Sequence, residues 1–91
     1  MGVTLTGTLT VPPERMSEVR AALPEHVRLT RAEPGCLSFA VTERDDAPGV
    51  FDVAERFADR AAFDAHQARA TASAWADVTR GLPRNYTVTE D

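Results

Sequence analysis

The run Gly2 to Val11, GVTLTGTLTV, alternates strictly and constrains the fold more than any other stretch. Val3, Leu5, Leu9 and Val11 point one way, with Gly7 among them, and Thr4, Thr6, Thr8 and Thr10 point the other. A period of two with β-branched residues on both sides is a strand. Its apolar side needs a helical layer to cover it. Its threonine side is neither an apolar core face nor a charged solvent face. Pro12-Pro13 ends the ladder, because proline cannot donate to it.

The periodicity then changes. In PERMSEVRAALPEHVRLTRAEPG, Met16, Val19, Leu23 and Val27 recur at helical spacing, and Pro13 and Glu14 suit a first turn. Pro24 is expected to kink this helix or divide it. Pro34 disfavours helical geometry at Glu33, and Gly35 suits the exit. CLSFAVTE alternates again, with Leu37, Phe39 and Val41 on one face. RDDAPG is a turn. VFDVAERF follows, with Phe51, Val53, Glu55 and Phe57 sharing a face. Asp59 is an N-cap for a helical region holding Phe63, Trp75, Val78 and Leu82, read as one helix or as two broken near Ala70–Ser73. Gly81 and Pro83 stop it, NYTVT forms a last strand, and the final residues are expected to fray.

Strand, helix, strand, strand, helix, strand is the split βαβ, ferredoxin-like α+β arrangement with an antiparallel sheet. One domain over residues 1–91 is expected. So small a domain buries little of its surface, and self-association would add burial. The open face, with Thr4, Thr6, Thr8, Thr10, Ser38, Ala40, Thr42 and Ala54, suits packing against a second sheet.

Composition narrows the function classes. The net charge is −4 and the ten basic residues, all arginine, are scattered, which argues against nucleic acid. Absence of lysine excludes a Schiff base. One cysteine forms no internal disulfide. No secretory signal and no membrane span is expected, so the reading is a soluble cytoplasmic protein. Two distant histidines do not make a zinc site, and no phosphate-binding glycine loop is present. Cys36 lacks a redox partner motif and reads as a small semi-buried residue.

The stretch AEPGCLSFAVTE followed by FDVAERFADRAAFDAHQ resembles the antibiotic biosynthesis monooxygenase family, which includes small quinol monooxygenases. The residues that carry the likeness are Glu33-Pro34-Gly35-Cys36, then Glu55 and Phe57, then Phe63 and His66. The chain departs from many members in having Phe57 in place of tryptophan, and no second histidine in ARATAS. The resemblance implies a homodimer whose sheets pair face to face into an α+β barrel. It also implies oxidation of a quinol- or anthrone-type aromatic by O₂, without cofactor or metal.

The residues admit roles in that chemistry. His66 is either a packed helix histidine or a base, with an unperturbed pKa of about 6.5. Glu55, on an apolar strand face, is either paired with an arginine such as Arg84 or orients His66 or a substrate hydroxyl. Phe39, Phe51, Phe57, Phe63 and Trp75 are either core or the walls of an aromatic pocket, and Arg84 with Tyr86 would close its mouth. His26, beside Glu25 on a polar turn, receives no role. Two other functions remain open: a barrel that binds a small aromatic ligand without turnover, and haem binding and degradation with His66 on iron.

Overall fold

The computed structural model describes residues 2–91. Strand β1 is Val3–Thr10, and a 3₁₀ turn over Pro13–Arg15 leads into helix α1, Met16–Arg31. Strands β2, Cys36–Glu43, and β3, Val50–Phe57, precede helices α2, Arg60–Thr71, and α3, Ala74–Thr79. Strand β4 is Arg84–Glu90. The four strands form one antiparallel sheet in the order β2-β3-β1-β4. This is the ferredoxin-like arrangement that the alternation of periods predicts. The sheet is open and is not closed into a barrel.

Its helix-covered face is apolar by parity. Val3, Leu5, Leu9, Phe51, Val53, Phe57 and Phe39 are all buried, with Val19 of α1 and Phe63 of α2 packed over them. The other face carries Thr6, Thr10, Ser38, Ala40, Thr42 and Ala54, all exposed. Pairing places Ala40, Ala54, Thr6 and Thr87 in one row across all four strands. At Gly7 the backbone of β4 comes so near that a Cβ would overlap the Asn85 carbonyl oxygen and lie 2.8 Å from the Tyr86 ring. The missing side chain at Gly7 therefore lets Tyr86 lie over β1.

Three expectations need correction. Pro24 does not divide α1, which is one helix from Met16 to Arg31 with Val19, His26 and Thr30, on both sides of the proline, buried on one face. Leu37 is not on the core face. A β-bulge between Cys36 and Ser38 makes it the extra residue, and it is 58% exposed while Phe39 returns to the core. The last residues do not fray from the sheet. β4 pairs with β1 through Glu90, and the Asp91 amide donates to the Gly2 carbonyl at 3.0 Å. Of the two readings of the region after Asp59, the structure has the two helices, broken where expected: Ser73 caps α3, its hydroxyl accepting from the Ala76 amide. Asp59 caps α2 as expected, accepting from the Ala62 amide at 2.8 Å.

The six-residue helix α3 is too short to be stable alone. Arg15 supports it from the other end of the fold by donating to the Val78 and Arg80 carbonyls, and Arg84 donates to that of Thr79. These arginines satisfy carbonyls that the end of a helix leaves without partners. Among the described residues no helix is long and apolar enough to cross a membrane.

Candidate active site

The site is assembled where the exit of α1, the end of β3 and the middle of α2 meet. Helix α1 ends at Arg31, and Gly35 turns the chain with φ of +84°. A Cβ on Gly35 would sit 2.5 Å from that of Ala62, so only glycine lets this loop lie against α2. The Ala58 amide fixes the loop further by donating to the Gly35 carbonyl at 2.8 Å. Together these contacts hold the loop against the first turn of α2 and bring Glu33 to His66 and Arg69 further along it.

His66 of α2 is 2% exposed and lies between two carboxylates. Its Nδ1 is 3.1 and 3.2 Å from the two oxygens of Glu33. Its Nε2 is 3.7 Å from Oε1 of Glu55 on β3. Arg69, one turn further along α2, donates from Nε to Glu33 at 2.7 Å and from Nη2 to the Thr30 hydroxyl at 2.9 Å. Burial raises the pKa of Glu33, but the hydrogen bonds from His66 and Arg69 outweigh it and leave the value lowered. Glu33 is therefore an anion at neutral pH and can only accept. Its partner Nδ1 must carry the proton, which leaves the lone pair of a neutral His66 on Nε2, facing Glu55.

Glu55 is 8% exposed, and its Oε1 has no hydrogen-bond partner. Burial, with Glu33 adding to it, pushes its pKa up to about 7. The arginine pairing considered for it is not present: Arg84 instead donates to the Thr79 carbonyl. His66 is the basic side chain that approaches it.

His26 overturns its reading as a polar-turn residue. It is 5% exposed, and its ring stacks on Trp75 at 4.9 Å with planes 7° apart. It lies 6.2 Å from His66 between ring centroids, with Nδ1 buried and unpartnered. Burial, then the charges of Arg69 and His66, lower its pKa to about 4, so it is neutral under ordinary conditions. The neighbouring glutamate misled the sequence reading. The signal that finds His26 is its spacing from Val19, Leu23 and Thr30 on one helical stripe.

A pocket of about 110 Å³ opens onto these groups, lined among others by His26, Glu55, His66, Trp75, Arg84 and Tyr86. Of the residues proposed from sequence, it gathers His66, Glu55, Trp75 and Arg84. Phe39 and Phe57 stand behind it, against His66, at 5.8 and 5.0 Å between ring centroids. Phe63 packs edge-on against Phe57 in the core. Phe51 is at the far end of β3, opposite Leu9, and is not a wall of this pocket. Six residues of strand separate it from Phe57, roughly 20 Å. Glu33, Arg69 and His26 are the polar groups that sequence reasoning did not assign to the site. Cys36 is half-buried, and its thiol pKa is raised by burial and then by Glu33 and Glu55, which makes it a poor nucleophile. Among the described residues no three His, Cys, Asp or Glu side chains gather as a metal-binding group.

The fold and site together define a small ferredoxin-like protein with a buried histidine–carboxylate pair at the base of an aromatic-walled pocket. The chain belongs to the antibiotic biosynthesis monooxygenase family, whose model matches residues 2–78. Among solved structures it is similar to Rv0793 from Mycobacterium tuberculosis, with 28% identity, a TM-score of 0.79, and coverage of 100% of this chain and 95% of that one. It is also similar to a Deinococcus radiodurans protein named for the same family, with 28% identity, a TM-score of 0.84, and coverage of 98% and 91%. SnoaB, a cofactor-independent oxygenase from Streptomyces nogalater, shares 15% identity at a TM-score of 0.80, with coverage of 99% and 92%. That likeness is one of fold alone. No curated protein matches the chain. Family membership gives a monooxygenase role at the general level.

Proposed function

We propose that this protein is a cofactor-independent monooxygenase acting on a quinol-type aromatic. The observation that carries the reading is His66 held by Glu33 with its Nε2 toward Glu55, at the base of the pocket. An electron-rich phenol becomes able to reduce O₂ once it is an anion. The protein then has three tasks: to remove a proton, to hold the ring and to keep water out. The His66–Glu55 pair is the base. Trp75 and the neutral His26 offer flat surfaces to the ring, and Tyr86 and Arg84 line the same pocket. Burial, with Glu55 adding to it, raises the pKa of Tyr86, so its hydroxyl keeps its proton and can donate to a substrate oxygen.

The chemistry balances without a cofactor. The phenol O–H gives its proton to the base. The anion passes an electron to O₂, and the resulting radical pair forms a C–O bond at a ring carbon that bears hydrogen. The peroxide takes the proton back, the O–O bond breaks, water leaves, and the carbon becomes a carbonyl.

Size narrows the substrate. A cavity of about 150 Å³ holds one benzene ring. The pocket here, at about 110 Å³, is nearer the size of one ring than of three, which favours a one-ring quinol over a three-ring anthrone. The same small volume argues against haem, and both nitrogens of His66 already face carboxylates. A homodimer in which the threonine-rich faces meet is part of the proposal, and its mass in solution by light scattering should be twice 9.9 kDa.

Oxygen uptake by metal-stripped protein tests the function. One-ring quinols should be consumed faster than the spontaneous rate and faster than anthrones. Tight binding of these phenols with no uptake would leave a binding protein in place of an enzyme.

A further inference from the structure

The mechanism above uses the inner side of His66. Its outer side opens elsewhere. Glu33 and Arg69 line a second cavity of about 490 Å³ on the protein surface, with Pro34, Gly35, Ala62 and Ala65 among its walls. Glu55 and His66 line the inner pocket, and Glu33 does not. The buried imidazole of His66 therefore connects two separate openings through two different carboxylates.

We propose that Glu55, His66 and Glu33 form a proton relay from the substrate pocket to the outer cavity, with Glu33 as the residue that positions His66 and holds the outer end. The inference rests on the monooxygenase reading. A proton taken from the substrate by Glu55 passes to Nε2 of His66, while the proton on Nδ1 moves to Glu33. The imidazole changes tautomer and carries no net charge afterwards. The proton is then held on the far side of His66 while O₂ adds to the substrate anion. It returns by the same path to the peroxide before water leaves, so no proton is gained or lost over the cycle.

Three features of the geometry support a relay over a static ion pair. The contacts lie at opposite nitrogens of one ring, 3.1 Å on one side and 3.7 Å on the other. Arg69 holds Glu33 by two nitrogens and by way of Thr30 keeps the outer end fixed. The rings of Phe57 and Phe39 pack against the imidazole, which is 2% exposed. The other titratable groups that face the relay are His26 of α1, Cys36 at the start of β2, Arg69 of α2, and Arg84 and Tyr86 of β4.

The test is ¹⁵N NMR of the histidine side chains across pH, which needs no substrate, together with oxygen uptake. In wild type His66 should be the Nδ1–H tautomer at neutral pH, with Nδ1 facing Glu33. Glu33→Gln keeps the size of the side chain and a hydrogen bond to Arg69. It should populate the Nε2–H tautomer, lower kcat about tenfold with KM unchanged, and displace the pH–rate profile. Glu33→Asp, with a carboxylate restored, should recover part of each effect. A His66 tautomer unchanged in Glu33→Gln would overturn the relay, whatever the activity. The expected NMR changes in a protein that consumes no oxygen would uphold the relay geometry and discard the enzyme reading.

Discussion

Glu55→Gln should stabilise the protein at pH 8 by up to about 3 kcal/mol relative to wild type, and His26→Gln should leave a stability that falls steadily as pH rises from about 4.5 to about 7. The two buried groups act in opposite directions. The pKa of Glu55 is raised from 4.5 to about 7, so the folded state holds a proton that the unfolded state releases. Its contribution to stability is complete below 4.5 and is lost as pH rises through 7. The pKa of His26 is lowered from 6.5 to about 4, so the unfolded state takes the proton first. Its contribution is complete above 6.5 and is lost as pH falls through 4. Between about 4.5 and 6.5 the two slopes cancel in wild type, which should show a nearly flat stability profile there. Urea unfolding at half-unit pH steps reads this directly. Parallel profiles for wild type and both variants would show that neither group is held as described. The ionised Glu55 is kept at a cost to the fold, as expected of a group retained for chemistry.

His66→Ala should reduce kcat for a quinol by about a hundredfold or more, the range of a positioned acid–base group. Glu55 would lose the imidazole that takes up its proton, and Glu33 would keep only Arg69 as a strong partner. The substrate still finds Trp75, His26 and Tyr86, so KM should change by far less than kcat. Partial misfolding would also lower the apparent kcat with KM unchanged, so an unchanged urea midpoint for His66→Ala is needed to assign the loss to the missing imidazole. Full turnover in His66→Ala would move the base elsewhere.

Much of the fold was legible because each strand announces itself by a period of two and each helix by its own stripe. The threonines of β1 indicated an uncovered face, and Asp59 and Gly35 marked where α2 starts and where α1 has ended. Pro24 misled because proline removes one hydrogen bond, yet α1 continues past it with Val19, His26 and Thr30 buried on one face. Leu37 misled because a bulge is set by pairing with β3, and the periodicity of β2 alone does not show it.

The site was legible in part. His66 and Glu55 could be singled out because a histidine and a carboxylate on apolar faces require an explanation. Glu33 and Arg69 could not, since their contact spans 36 positions and depends on how the Gly35 loop lies against α2. Phe51 and Phe57 share a face, but parity carries no information about distance along the strand, and only Phe57 reaches His66.

The central claim is that one atom of O₂ enters the aromatic ring and the other becomes water. Turnover of a one-ring quinol under ¹⁸O₂ by metal-stripped protein, with mass analysis of the product and a peroxide assay, tests it most directly. The account predicts one ¹⁸O in the product and no accumulation of hydrogen peroxide. An unlabelled quinone with stoichiometric peroxide would contradict it and make the protein an oxidase.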